Sequence, residues 1–431
     1  MVTQTKSLLT LDEFQEPTRE FEGSAILIAG PGAGKTRTVA ARIEYLREVK
    51  GISLSSIKML TFSRKAAHEL LCRLPYLEYG TSVSTIHKFG LDILKSRGFN
   101  YKILGEDTNT LYNDPRFKIV KKLLLDSFPE YKKLNEEDLG YKVEESLALI
   151  DKYKTSSGEV LSNEIELIYI EYQKYLNSTN QIDFNDILIL AIKELEKLPV
   201  PIPYLFLDEG HDTNMLQYEL LRRIDSEYNW AIFDPYQMIY RWNGADERNY
   251  TRFIEDYSPR EFKLLNDWRS TPEIVKILEA IYKRGLIAKN TGPSEIKLYE
   301  ARGQAQIDLA IALAKKWGNS TLILGRLNRT IETLKSQSLE VIEAVDGTLI
   351  FKENNGLKGM TIHKSKGLEE ETVIVVGCNS RLIPYSRSVD LVEEKNLFYV
   401  ACSRARRNLF FITDGPPSPF LYEIVRNLGG I

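Results

Sequence analysis

Cysteine, histidine and long apolar runs are scarce in this chain, and each scarcity removes a class of function. The three cysteines (Cys72, Cys378, Cys402) stand far apart with no Cys-x-x-Cys pair, so neither a disulfide framework nor a zinc site is indicated, and a reducing compartment fits. The four histidines (His68, His87, His211, His363) are too scattered for metal-ligand spacing. No apolar run has the length of a membrane span, and the opening Met-Val-Thr-Gln-Thr-Lys lacks a basic-then-apolar leader. The expected location is therefore the cytoplasm, with no membrane partner. A charge excess is missing too. At a formal net charge of −3, a nucleic-acid partner has to be held by a local basic and aromatic track, not by a global positive field. What remains is a globular composition, 43% hydrophobic and 27% charged, in 431 residues, enough for two or three domains.

The most informative stretch is Ser24-Ala-Ile-Leu-Ile-Ala-Gly-Pro-Gly-Ala-Gly-Lys35-Thr36-Arg37. An apolar run that reads as a buried strand feeds a glycine-rich turn, and a helical pattern starts at Lys35. This is the context of a phosphate-binding P-loop, with Ala29 where the strict pattern has glycine. Gly30, Gly32 and Gly34 let backbone N–H groups converge on an anion. Lys35 supplies a point charge and Thr36 a hydroxyl for Mg²⁺. Kinases, GTPases, transporters and motors all share such a loop, so the use of the nucleotide stays open at this point.

Strand-like runs at 25–28 and 57–62 alternate with helical patterns, which implies a parallel sheet. From 95 to 182 the chain turns to Lys, Glu, Leu and Tyr and reads as helices without strands, a helical insertion in an α/β domain. Strands resume with Tyr204-Leu-Phe-Leu-Asp208-Glu209 and Trp230-Ala-Ile-Phe-Asp234. A second α/β series is expected at 262–265, 321–324, 372–376 and 409–412, suggesting two similar sheets that face each other. Asp208, at a strand end, suits Mg²⁺. Glu209 beside it suits a group that orients and deprotonates a water attacking the γ-phosphate. Gln237 could read that phosphate, and Tyr240 and Trp242 offer faces on which bases stack.

In this order the segments resemble the superfamily 1A DNA helicases of the UvrD/Rep type. The P-loop is followed by Leu60-Thr-Phe-Ser-Arg-Lys-Ala-Ala-His-Glu-Leu, similar to motif Ia, and Ser84-Thr-Ile-His-Lys-Phe-Gly, similar to motif Ib. Asp208-Glu-Gly-His-Asp resembles motif II, residues 233–245 motif III, and Asn266-Asp-Trp-Arg-Ser-Thr-Pro272 motif IV. Thr361-Ile-His-Lys-Ser-Lys-Gly-Leu-Glu369 resembles motif V and Leu397-Phe-Tyr-Val-Ala-Cys-Ser-Arg404-Ala motif VI. All four histidines fall inside these segments.

The resemblance implies two RecA-like parallel-sheet P-loop domains with a helical insertion. Residues 1–94 plus 183–260 would form domain 1A with the ATP site, 95–182 insertion 1B, and 261–431 domain 2A with little or no domain 2B. It also implies ATP and Mg²⁺ as cofactors and single-stranded DNA as partner, with 3′→5′ movement. By position, Gln15 would contact adenine, with Arg37 and Trp268 sandwiching the base; the family usually has Tyr at the latter position. Thr36 and Asp208 would hold Mg²⁺, and Glu209 would be the general base. Lys35, Gln237, Arg269 and Arg404 would surround the γ-phosphate, Arg404 as the arginine finger, while Glu369 would approach the ribose. Phe62, Tyr240 and Trp242 would stack bases, and Thr85, His87 and His363 would contact the strand.

The chain also departs from the family pattern. Gly210-His211 stands where motif II has an aromatic residue and Gln, Phe233 replaces the leading Gly of motif III, and Arg64 stands where Asn is common in motif Ia. Only about thirty residues separate Arg329 from Met360, too few for the accessory domain 2B. Little room follows motif VI for a strand-separating hairpin, and no nuclease segment is visible. The expectation is a minimal ATP-driven motor, weak at separating strands alone. The alternative is a nucleic-acid-sensing ATPase subunit that regulates a partner nuclease, for example in phage defence.

Overall fold

The computed structural model describes residues 9–428 apart from position 63, 75, 242–243, 319 and 389 and the segments 105–113, 156–159, 338–340, 344–348 and 352–357. Among the described residues two large sheets form. The first has six strands, all parallel, in the order Val83–Thr85, Ile57–Thr61, Tyr204–Leu207, Tyr228–Phe233, Ala25–Ala29, Arg260–Leu264. Strands Ala25–Ala29 and Tyr204–Leu207 are near-continuous apolar runs because helices cover both faces, whereas the edge strand Arg260–Leu264 buries only Phe262 and Leu264. Alternation along a strand then divides the core: Ile26 joins the cluster with Leu60, Phe89 and Tyr218 on one face, while Ala25 and Leu27 join Val39, Met59 and Trp230 on the other.

The second sheet has seven strands. Five are parallel, in the order Ile296–Glu300, Ala405–Thr413, Glu370–Val376, Thr321–Gly325, Lys358–Thr361. The same two-faced rule holds here, with Val373 and Val375 on one face and Ile374 and Val376 on the other. An antiparallel hairpin, Val341–Glu343 and Leu349–Phe351, extends this sheet from Lys358–Thr361. It occupies part of the short stretch between Arg329 and Met360. Strand Ala405–Thr413 leads through residues 414–418 into helix Pro419–Leu428.

The α/β class with two parallel sheets is thus what the sequence patterning indicated. One strand is placed differently. The run expected at 262–265 to open the second series is Arg260–Leu264, and it completes the first sheet at its edge. It pairs in register with Ala25–Ala29, and the Arg260 amide donates to the Ser24 carbonyl at 2.9 Å. Phe262 packs edge-on against Phe21 and stacks with Trp230, which anchors it on that side. The boundary between the two sheets therefore follows Leu264.

Helices Pro115–Ser127, Glu136–Thr155 and Asn163–Ser178 build the insertion around Phe117, Val120, Val143 and Tyr172. The strandless reading of 95–182 is corrected by one detail: Lys102–Ile103 pairs in parallel with Gln181–Ile182, so a two-stranded clip closes the insertion where it leaves and rejoins the first sheet's unit. A buried ion network fastens it further. Lys154 Nζ donates to Asp183 Oδ2 at 2.7 Å and to Asp186 Oδ1 at 2.8 Å, with its side chain 1% exposed. Removing one partner of a buried pair leaves an uncompensated charge, which costs about 3–5 kcal/mol. Lys154→Met is expected to lower unfolding free energy by about that amount, measured by urea denaturation; a loss below about 1 kcal/mol would show that water reaches the two aspartates.

Because every strand of the first sheet runs the same way, three C-terminal ends open on one edge. From that edge leave the glycine loop after Ala25–Ala29, the acids after Tyr204–Leu207 and the Asp234–Gln237 turn after Tyr228–Phe233. Open parallel sheets place ligands at this edge.

Candidate active site

Helix Lys35–Glu48 begins without a side-chain cap, and its N-cap Gly34 is left-handed at φ +75°. The first-turn N–H groups are thus left for an anion. Gly32, at φ +71°, is also left-handed, and a Cβ there would lie 2.0 Å from Asp267 Oδ1 and 2.8 Å from Arg269 Cβ. A Cβ on Gly34 would meet Gln15 Nε2 at 2.5 Å, and one on Gly30 would meet Leu286 at 3.2 Å. The loop is glycine because side chains of three other segments press against it.

Gln15 is buried and donates to the Ala33 carbonyl at 3.1 Å, while its own oxygen accepts from the Asp12 amide. Arg37 is exposed, and its Nε donates to the Thr10 carbonyl at 2.9 Å. Trp268 is 55% exposed; its Nε1 donates to Asp12 Oδ2 at 2.9 Å and its amide to the Gly32 carbonyl at 3.1 Å. Arg37 and Trp268 are therefore both moored to the segment before the first strand. Asp12 and Asp267 were not singled out in the sequence. They act through contacts distant in the chain, which no local pattern announces.

Across the edge, Lys35 Nζ stands 3.5 Å from Glu209 Oε1. Thr36 is the second residue of the P-loop helix, and Asp208 follows strand Tyr204–Leu207, its Oδ1 accepting from the Glu209 amide at 3.0 Å. A hydroxyl and a carboxylate are hard oxygen donors of the kind Mg²⁺ takes. Glu209 sits in the left-handed region at φ +51°, a conformation costing about 1 kcal/mol or more for a residue with a Cβ. Burial raises its pKa, but Lys35, His211 and Lys366 outweigh that and hold the carboxyl well below the usual range.

Gln237 is buried; its amide donates to Asp234 Oδ2 at 2.5 Å and its oxygen accepts from Arg404 Nη2 at 3.2 Å. Asp234 is held in turn by Arg284, at 2.9 Å. Arg404, 2% exposed, also donates to Val400 O, Leu368 O and Ser403 Oγ. Burial first, and the like charge of Arg269 second, bring its pKa down to about 10, so it stays a cation at neutral pH. Arg269 pairs with Glu369, which also accepts from Arg406. Gln237 belongs to the first unit and Arg404 to the second, so the two sheets meet through this bond.

Phe62 and Tyr240 stack on each other, centroids 5.9 Å apart at 16°, and Tyr240 OH donates to the His363 carbonyl at 3.2 Å. His363 lines a cavity of about 340 Å³ with Arg326, Tyr385, Ser388, Glu393 and Glu394. Thr85 caps helix Ile86–Ser96 and lies opposite Thr61, the residue before Phe62, in the sheet register, and His87 packs edge-on against Phe184 at 5.6 Å. Trp242 lies outside the described residues.

Burial brings His87 down to about 4; burial, then Arg326, brings His363 down to about 4. Both are neutral when folded and take up a proton on unfolding near 6.5. Stability is then full above about pH 6.5 and declines as pH falls toward 4, by up to about 1.4 kcal/mol per pH unit for each histidine. Thermal melts between pH 7.5 and 5 should show this decline, and His363→Asn should make it shallower. An unchanged slope in that variant would contradict the neutral state of the half-buried His363.

Two facing parallel sheets, with a glycine loop on one and arginines on the other, define a two-sheet P-loop protein. Residues 11–258 match the UvrD/REP helicase N-terminal domain and residues 331–414 the UvrD-like helicase C-terminal domain, and the chain belongs to the UvrD/REP helicase family. It is similar to the ATP-dependent DNA helicase PcrA of Staphylococcus epidermidis, 28% identical over 315 residues that make up 67% of this chain and 43% of that protein. PcrA of Bacillus subtilis is 24% identical over 89% of this chain and 51% of its own length. A probable DNA helicase of Mycoplasma pneumoniae is 26% identical over 91% of this chain and 80% of its own. The chain thus spans about half the length of the PcrA relatives or less. Among the described residues no helix is long and apolar enough to cross a membrane.

Proposed function

We propose that the protein is an ATP-driven translocase on single-stranded DNA, expected to move 3′→5′ and to separate strands weakly by itself. The observation that carries the reading is the pairing of Gln237 with Arg404 across the two sheets, beside Glu209 and the P-loop. A nucleotide between them, with Mg²⁺ on Thr36 and Asp208, would be sensed by both sheets. Loss of its γ-phosphate would release one from the other. Stacking on Phe62, Tyr240 and Trp242 tolerates any base, which suits movement along a strand. The short span between Arg329 and Met360 supports weak unwinding, since no accessory domain fits there.

Stopped-flow translocation on end-labelled oligonucleotides tests the reading. Arrival times should lengthen in proportion to strand length, with a 5′-end label reporting arrival. Hydrolysis without length-dependent arrival would instead favour an ATPase switch, and robust unwinding of a long duplex by the purified chain would overturn the weak-unwinding part.

The glycine contacts add a binding prediction. In Gly32→Ala the new methyl would displace the 267–269 segment, and the left-handed backbone alone costs about 1–2 kcal/mol. ATP affinity should weaken at least about tenfold, read by titration of a fluorescent ATP analogue. Unchanged affinity would show that the loop binds nucleotide in another conformation.

A further inference from the structure

His211 departs from the motif pattern, and its surroundings give it a definite proton arrangement. The ring is 3% exposed. Its Nδ1 lies 3.1 Å from the Asp234 backbone N–H, which can only donate, so Nδ1 accepts and the neutral ring carries its proton on Nε2. That Nε2 lies 3.1 Å from Glu209 Oε2. Oε2 is buried and has no well-aligned donor, as expected for a catalytic contact before its substrate is bound.

The same nitrogen, Nε2 of His211, is approached by Lys366, from the second sheet's unit. Its ammonium lies 2.7 and 2.6 Å from the two oxygens of Asp212 and 2.7 Å from the Gln237 carbonyl. An ammonium only donates, so its 3.0 Å approach to the protonated Nε2 is a donor–donor contact and not a hydrogen bond; its hold on the ring runs through Asp212 and the Gln237 carbonyl. Glu209, His211 and Asp212 are residue types that gather around a metal ion. In this cluster Lys35 stands 3.5 Å from Glu209, and the Lys366 ammonium pairs with Asp212. The same Nζ lies 5.2 Å from the centre of the Tyr240 ring, which stacks on Phe62. A continuous set of contacts therefore joins the aromatic pair, Lys366, His211, Glu209 and Lys35.

We propose that His211 is a positioning residue that aims Glu209 at the attacking water, and that Lys366, by holding Asp212 and the Gln237 carbonyl beside the ring, fixes this surround from the opposite sheet. A shift of the second sheet, or of the Phe62–Tyr240 pair, then moves the carboxylate. The inference rests on the ATP-hydrolysis reading given above.

The test is steady-state ATP hydrolysis by the full chain at saturating single-stranded oligonucleotide, with His211→Ala, His211→Gln, Lys366→Met and the double variant His211→Ala/Lys366→Met. A misaimed base costs about 10- to 100-fold in turnover. His211→Ala should show that loss in kcat, with the KM for ATP changed less than about twofold, because binding does not use the ring. His211→Gln, which keeps an N–H donor, should recover most of the rate. The double variant should be little worse than the worse single one, since the two residues act in one chain of contacts. Wild-type kcat in His211→Ala, or fully additive losses in the double variant, would overturn the proposal. If His211→Ala does not fold, Lys366→Met carries the test: a kcat within about twofold of wild type overturns it. No hydrolysis by the wild-type chain would instead sink the underlying ATPase reading.

Discussion

Arg404→Ala should lower single-turnover ATP hydrolysis by about 10³- to 10⁵-fold, the contribution of an arginine finger to phosphoryl transfer. The structure holds this guanidinium with little freedom. Nε donates to Val400 O at 3.1 Å, Nη1 to Leu368 O at 3.0 Å, and Nη2 to Gln237 Oε1 and Ser403 Oγ at 3.2 and 2.8 Å. Those bonds keep it charged and oriented in a buried place, so little reorganisation is needed when charge develops on a phosphate. Arg404→Lys should rescue poorly, because one ammonium cannot span the four acceptors that the planar fork reaches. Binding of a fluorescent ATP analogue should survive in both variants. A hydrolysis rate within about tenfold of wild type in Arg404→Ala would remove Arg404 from the reaction.

Glu209→Gln should lower kcat by about 10²- to 10⁴-fold, the usual share of a positioned general base. The amide matches the carboxylate in size and cannot take a proton. Wild-type Glu209 keeps its charge into acid: burial favours the neutral form, but Lys35, His211 and Lys366 favour the anion more. The sign for stability follows. A carboxyl held below its ordinary value of 4.5 contributes stability that is present above that pH and lost as pH falls below it. The rate should therefore show no Glu209 ionisation between about pH 6 and 8. A Glu209→Gln variant with near-wild-type turnover would show that the water is activated elsewhere.

Much of the site was legible because it is local. The run Ala25–Ala29, the two left-handed glycines and the acids after Tyr204–Leu207 lie within short windows where strand period, turn chemistry and helix start can be read. Partners remote in sequence were not legible. Asp267 against Gly32, Asp12 under Trp268 and Lys366 between His211 and Gln237 join positions far apart in the chain, the nearest pair 129 residues from each other, with no shared pattern. Lys366 did lie in a segment already singled out, three residues after His363, so its lysine could have been weighed there. Strand Arg260–Leu264 went to the wrong sheet for the same reason: periodicity identifies a strand, whereas its neighbour is decided by long-range register and by the Phe21, Trp230 and Phe262 rings. The stack of Phe62 on Tyr240 likewise brings together two motifs that the sequence offers only as separate aromatic faces.

The most direct test of the central claim is steady-state ATP hydrolysis by the purified chain, with and without single-stranded DNA, alongside Arg404→Ala. A strand gripped by both sheets should draw them together over the nucleotide. The expected result is a rate that rises at least about tenfold with DNA in the wild type and stays at the floor in Arg404→Ala. A wild-type rate indifferent to DNA would contradict an ATP site coupled to a strand across the two sheets.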